Sequence, residues 1–538
     1  MGIKGKIKNA LGYDTEIINS DFDEKNFCDS LKRFVDNNPE IMEDYSVFGK
    51  RRDGKDYYPA IKKIEDGFKF LNGDLKVYDE KGFVPVQEIY TFRTGNAIKS
   101  KPFPMSKEFI LRMAMSKILF RYPSIAGHVT ARSHFVNYLI REGFKKEKEP
   151  GYDGIGIDNV VFCCSTTHGY NMVLDTILRE EDVVLVTGPN YGLFAAMPER
   201  RNARVEVLDL SEEDDFYVNP KKLAERIDEI NKDLKEKWEG KLSYTPRVVA
   251  FLNENPHNPL GKVMNKKNLD LLMAIGDICL EKGVFVIDDL IYRDITFDLD
   301  DLAFPLASIP KYFNNTITLM GLSKSYGLAG IRAGAIIAPI PICNGVQEKI
   351  FTTMDSIPVF QVWALAGAFN ATNRRYKAAR KYFPPLVEKY IYQFNLLKGL
   401  LEGVDKVDSK YRKRIIKAVN KYATNDKYKK VLPLGIKGVK IREKTEPESG
   451  FFAIVDFTGV KNNKYGDMTI KTEADLVRHM YKTSKFKCIM GSNMSWPYED
   501  EIISRFNFAI EPCDIIHNVE QLYMSLSEEF ICVEYSEK

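Results

Sequence analysis

The chain of 538 residues is 44% hydrophobic and 28% charged, the balance of a globular protein with room for two or more domains. Lys plus Arg number 78 against 75 Asp plus Glu, a net charge of +3 that argues against a dedicated nucleic-acid binder. No apolar run approaches the roughly 20 residues of a membrane span, the six histidines form no metal-binding motif, and eight scattered cysteines point to a reducing, cytoplasmic setting.

Residues 1–85 are polar and charged and read as an N-terminal extension, with the folded core starting near "EIYTFRTGN". Residues 86–130 are expected to open a smaller domain. From 131 to 370 short apolar runs alternate with helical stretches: "NVVFCC", "DVVLVTG", "RVVAFLN", "VFVIDDL", "TITLMGL" and "GAIIAPI". Runs of four to seven β-branched and aliphatic residues between helices predict a mostly parallel, buried sheet. Residues 371–538 read as a smaller α+β domain that includes the strands "ESGFFAIVDF" and "SRFNFAIEP". A basic insert at about 405–445 interrupts it. Within 406–444, 14 Lys or Arg stand against three acids, which is expected of a solvated helical face.

In an α/β sheet, ligands bind at the turns that follow the carboxyl ends of the strands. The first such turn, "CCSTTHGY", places Ser165, Thr166 and Thr167 before a helix expected to start near His168. Hydroxyls and free N–H groups there suit a phosphate, although plain N-capping uses the same residues. The second, "VTGPNYGLF", holds Tyr191, an aromatic plate or a packed loop tyrosine. The third, "NENPHNPLGK", uses two Asn-Pro steps to fix a rigid path that holds Asn258 at the sheet edge. The fourth, "VIDDLIY", puts Asp289 and Tyr292 three apart, and a carboxylate after a buried run needs a cationic partner. The fifth, "GLSKSYGLAGIRAG", sets Lys324 among small residues that leave its amine poorly hydrated and nucleophilic, with Ser323 beside it and Arg332 eight positions on. An amine, a carboxylate, a flat ring, an amide, a phenol and a phosphate cradle together fit one ligand, pyridoxal 5′-phosphate. The six histidines and the cysteines offer no metal site to compete with it.

The segments "NPHNPLG", "DLIY" and "GLSKSYGLAGIRAG", in that order, resemble the class I/II aminotransferase family of fold-type I pyridoxal-phosphate enzymes, over about residues 90–525. The resemblance implies an α/β fold, with a large domain whose mostly parallel mixed sheet is sandwiched by helices and a smaller α+β domain. It implies an aminotransferase that passes an amino group from an amino acid to a 2-oxo acid, with Lys324 carrying the cofactor as an aldimine. Asp289 would pair with the pyridinium, Asn258 and Tyr292 would bind the phenolate oxygen, and Tyr191 would stack on the ring. Thr166, Thr167, Ser323 and Arg332 would hold the phosphate. Arg505, in "SRFNFAI", matches the clamp on the substrate α-carboxylate, and Gly95, in "FRTGNA", a glycine that closes over the substrate. Tyr122, in "FRYPSIAGH", matches a tyrosine that reaches the phosphate of a neighbouring subunit, so a homodimer is expected.

The chain departs from the family pattern at three places: Gly321 stands where the family often has Ser, Ser165 where many members have Gly, and Leu290 where an acid is usual. A 1-aminocyclopropane-1-carboxylate synthase-like lyase, an aspartate 4-decarboxylase-like enzyme and a non-catalytic ligand-binding protein on the same fold remain alternatives. Dicarboxylate-specific members use a second arginine after the lysine segment. Between Arg332 and Arg374 this chain has none, which leaves Arg93, Arg121 and Arg132 as other cations and Trp496 as a hint of an apolar side-chain pocket.

Overall fold

The computed structural model describes residues 78–79, 82–83, 90–92, 101–116, 121–466 and 468–527. All lie within the unit Lys63–Lys538. The expected extension thus falls almost wholly outside the described residues, as do Arg93 and Gly95.

Seven strands form the main sheet. They are β1 (Val160–Cys163), β2 (Val183–Gly188), β3 (Arg204–Asp209), β4 (Val248–Glu254), β5 (Phe285–Asp289), β6 (Thr316–Gly321) and β7 (Gly334–Ile337). Their order is β1-β7-β6-β5-β4-β2-β3. Every pairing is parallel except those of β7, which runs antiparallel to both β1 and β6. The sheet is therefore mostly parallel and mixed, and the carboxyl ends of β1, β2, β4, β5 and β6 share one edge.

The apolar runs are continuous because helices cover both faces. Successive residues of β2 show it. Val183 and Leu185 pack with one helical layer and Val184 and Val186 with the other. The first layer includes a helix at Pro220–Trp238, in which Leu223, Ile227, Ile230 and Leu234 repeat at helical spacing and are buried. Each such side chain contributes about 2 kcal/mol of burial. Asn219 caps that helix by accepting the N–H groups of Lys221 and Lys222.

Strand β3 is not among the runs expected from the sequence. It is an edge strand, half-buried along most of its length, and its Arg204, Glu206 and Asp209 break the apolar signal.

A second sheet of four antiparallel strands comprises Lys440–Ile441, Phe452–Asp456, Ile503–Asn507 and Ile489–Met490, in that spatial order. The expected strands "ESGFFAIVDF" and "SRFNFAIEP" are its two central members. Before it, the basic stretch folds as a helix, Ser409–Tyr422. Ile415, Ala418 and Val419 face inward, while Arg412, Lys413, Arg414 and Lys417 are exposed, the solvated face that the charge pattern implies.

Candidate active site

The five turns converge on the shared edge of the main sheet. After β1 the chain enters a helix at Ser165–Ile177, three residues earlier than expected. Ser165 has φ 81°, the left-handed region where glycine is at ease, so this residue fills a position that favours the family's glycine. Its Oγ accepts the N–H of His168 at 3.4 Å. Gly334 of β7 lies directly beneath. A Cβ there would stand 2.8 Å from both Ser165 C and Thr166 N, so only a glycine lets the helix start this close to the sheet. Thr166 and Thr167 are half-buried on that first turn.

The turn after β6 meets this helix. A Cβ on Gly321 would lie 2.8 Å from Ile291 Cδ1 and 3.0 Å from Thr166 Cγ2, so the glycine packs closely against both side chains. Arg332 Nη1 donates to Ser323 Oγ at 3.3 Å and to the Ala329 carbonyl at 2.8 Å. Its charge acts on both Cys164 and Lys324. Two hydroxyl residues, a guanidinium and the positive end of a helix dipole thus meet at one corner.

Lys324 is partly buried, and burial, then the charges of Arg505 and Arg332, push its amine down to about 8. Asp289 is buried, and burial, then the neighbouring Asp288, push its carboxyl up to about 7, while the charge of Lys324 pulls it down. Ile291 N–H donates to Asp289 Oδ1 at 3.1 Å. Asp288, on the opposite side of the strand, has a different job. Its oxygens accept Asn253 Nδ2 at 2.9 Å and Leu306 N–H at 3.1 Å, bonds that tie the sheet to a loop.

The second sheet supplies Arg505, whose guanidinium lies 4.2 Å from the centre of the Phe452 ring and donates to Asn258 Oδ1 at 3.4 Å. This pair brings the "NPHNPLG" loop together with a strand 247 residues away. Tyr292 is buried edge-on to Phe451 and Phe452, and burial raises its hydroxyl well above the ordinary phenol range. Tyr191 is 39% exposed and sits at right angles to Phe194.

Tyr122 is 88% exposed in the single chain and touches none of this constellation. Gly95 lies outside the described residues. Arg132 is structural, donating to the carbonyls of Gly127 and Ile157. Trp496 packs on Phe216 and Tyr498, and its Nε1 donates to Glu501.

Two residues at the site escaped the sequence reading. Gln361, on a helix at Val359–Phe369, accepts from Cys164 Sγ and donates to the Ile331 carbonyl, bracing the helix start against the Arg332 turn. No local pattern points to it. Glu254 ends the apolar run "VVAFLNE" just as Asp289 ends its own, and that acid after a buried strand was a legible signal.

The donor set fits pyridoxal 5′-phosphate. A partly buried amine and a buried carboxylate stand at the ends of neighbouring strands near an amide and a phenol, and the cationic corner at the helix start suits a phosphate.

The profile of the family described as aminotransferase class I and II matches residues 93–394. An arginine–pyruvate transaminase, AruH, of Pseudomonas aeruginosa is 24% identical over 61% of this chain and 70% of its own. The cystathionine beta-lyase PatB of Bacillus subtilis is 30% identical over 34% of this chain, a stretch that spans 42% of that relative. The aspartate aminotransferase of Rhizobium meliloti shares the fold with a TM-score of 0.64 over 86% of this chain and 96% of that one, at 15% identity.

Proposed function

Because the family profile covers more than half of its length, this chain belongs to the class I and II aminotransferases, whose cofactor is pyridoxal 5′-phosphate, and we propose that it moves an amino group from an amino acid to a 2-oxo acid with Lys324 as anchor and base. One observation carries the assignment of roles: Asp289 ends β5 and Lys324 follows the end of β6, its parallel neighbour, with the charge of Arg505 acting on the same amine.

Pyridoxal 5′-phosphate, when bound, supplies an electron sink for the pair left at the substrate Cα. Lys324 Nζ, neutral in a large fraction of molecules near pH 8, takes the Cα proton. Asp289 would pair with the ring nitrogen and keep it protonated. Asn258 and Tyr292 offer an N–H and an O–H to the ring oxygen. Tyr191 lays its face on the ring. Thr166, Thr167, Ser323 and Arg332 hold the phosphate with the helix N-terminus. Arg505, oriented by Asn258 and Phe452, grips the substrate α-carboxylate with two N–H groups.

A homodimer belongs to the same proposal. Leu111, Met115, Val129, Ile340, Phe351 and Phe360 are exposed apolar side chains, the kind of surface a second copy buries. Tyr122 then reaches the phosphate site of that copy. A cytoplasmic setting goes with it, supported by six described cysteines that are all thiols. No described helix is long and apolar enough to cross a membrane.

The test is an absorbance spectrum of the protein with pyridoxal phosphate, then with single amino acids and no oxo-acid acceptor. A visible band that bleaches as a keto acid forms identifies the donors. A band that persists while product accumulates identifies a lyase, the second reading, which the similarity to PatB favours. The same visible band in Lys324→Ala would sink the lysine assignment.

A further inference from the structure

Glu254 closes β4 in register with Asp289, which closes β5. Paired residues on neighbouring strands project from the same face of a sheet, about 5 Å apart. Both side chains are buried. The backbone N–H groups of Tyr191 and Asn258 act on the Glu254 carboxyl, and its Oε1 is buried without a hydrogen-bond partner. One side chain therefore stands beside the turn that carries the ring's stacking partner, the loop that carries its amide partner, and the strand end that carries its carboxylate.

We propose that Glu254 is a positioning residue of the cofactor site, a single buried carboxyl that ties the Tyr191 turn and the Asn258 loop to the sheet edge at Asp289. The inference rests on the proposed function for what the tied elements hold.

Charge decides the form in which Glu254 acts. Two carboxylates one strand apart in a dry site do not both ionise. Asp289 has the cationic Lys324 as neighbour. Glu254 is driven well above the ordinary carboxylic range by burial and then by the charge of Asp289, which Arg505 opposes only in part. Of the other groups around it, His257 is pushed down to about 3 by burial and is neutral, Tyr191 presents its backbone, Tyr292 keeps its proton, Lys262 is paired with Glu448, and Tyr217 hydrogen-bonds the same Glu448. The proton therefore stays on Glu254, and Asp289 keeps the negative charge that the ring nitrogen needs.

A neutral carboxyl has a neutral isostere, so Glu254→Gln should do what Glu254→Ala cannot. Cofactor affinity, measured by absorbance titration of the apoprotein, is expected to fall about tenfold or more in Glu254→Ala, which loses the carboxyl beside both N–H groups, and to stay within about threefold in Glu254→Gln. Equal affinity in wild type and Glu254→Ala overturns the positioning role. Equal losses in both variants overturn the neutral form.

A second readout needs no cofactor. The folded protein holds the Glu254 proton at a pH where the unfolded chain has lost it, so this residue subtracts stability as pH rises above the ordinary carboxylic range. Removing it in Glu254→Gln should make the fall in apoprotein Tm between pH 5 and pH 8 shallower than in wild type. Superimposable profiles overturn the inference. A wild type that never develops a visible band sinks the proposed function instead, and the Tm profiles still decide the protonation of Glu254.

Discussion

Lys324 and Asp289 are displaced toward each other in acidity chiefly by loss of water, and the displacement has a measurable sign. An amine lowered from 10.5 to about 8 is neutral in a growing fraction of molecules as pH rises toward 8. Since the neutral amine is the nucleophile, cofactor capture by the apoprotein should accelerate about tenfold per pH unit below 8 and level off above it. Stopped-flow absorbance checks this, and a rate still rising past pH 9 would mean an ordinary lysine. The neighbouring acids should separate cleanly. Asp288→Ala strands Asn253 Nδ2 and the Leu306 N–H, at a cost of about 2–4 kcal/mol in denaturant unfolding. Asp289→Asn should instead lower turnover about 10²-fold or more. Its folded carboxyl, held up to about 7, subtracts stability as pH rises from the ordinary range to 7, so Asp289→Asn should be no less stable than wild type at pH 8. The sequence carried both acids at a strand end. Which one faces the amine follows from the pleat, because successive side chains leave opposite faces.

At the scale of elements, the site depends on how near the helix Ser165–Ile177 comes to β7. Gly334 permits the approach and Ser165 accepts a left-handed φ to complete it. Gly334→Ala would drive a Cβ against two backbone atoms at 2.8 Å, and side-chain adjustment cannot relieve that. We expect a loss of about 1–3 kcal/mol in unfolding free energy together with weakened cofactor binding, read by denaturant midpoint and absorbance titration. Unchanged affinity would mean that the helix start does not hold the phosphate. The six apolar runs announced their strands because they are buried on both faces. The edge strand β3 was silent because half of its surface is wet and charged. Gln361 was equally silent, since a glutamine on a buried helix has no local signature, and its bonds to Cys164 and Ile331 exist only once three distant segments meet.

For the whole molecule, the single chain leaves apolar side chains and Tyr122 in solvent, and the proposed dimer uses both. Light scattering should give twice the 61.7 kDa of one chain. Tyr122→Phe should keep that mass and weaken the cofactor about tenfold, the worth of one charge-assisted hydrogen bond. A monomer that binds cofactor normally would remove Tyr122 from the site.

Motif spacing and hydrophobic period by themselves determined the mostly parallel sheet and the order of the five turns at its edge, and singled out Lys324, Asp289, Asn258, Tyr292 and Arg332 as candidates there, because each is written within a dozen consecutive residues. Tertiary structure alone decided that Arg505 donates to Asn258 across 247 positions, that Gly321 packs against Ile291 and Thr166, and that Glu254 stands next to Asp289. Those facts depend on strand register and on contact between two sheets, and a linear pattern does not encode distances between residues that only folding brings together.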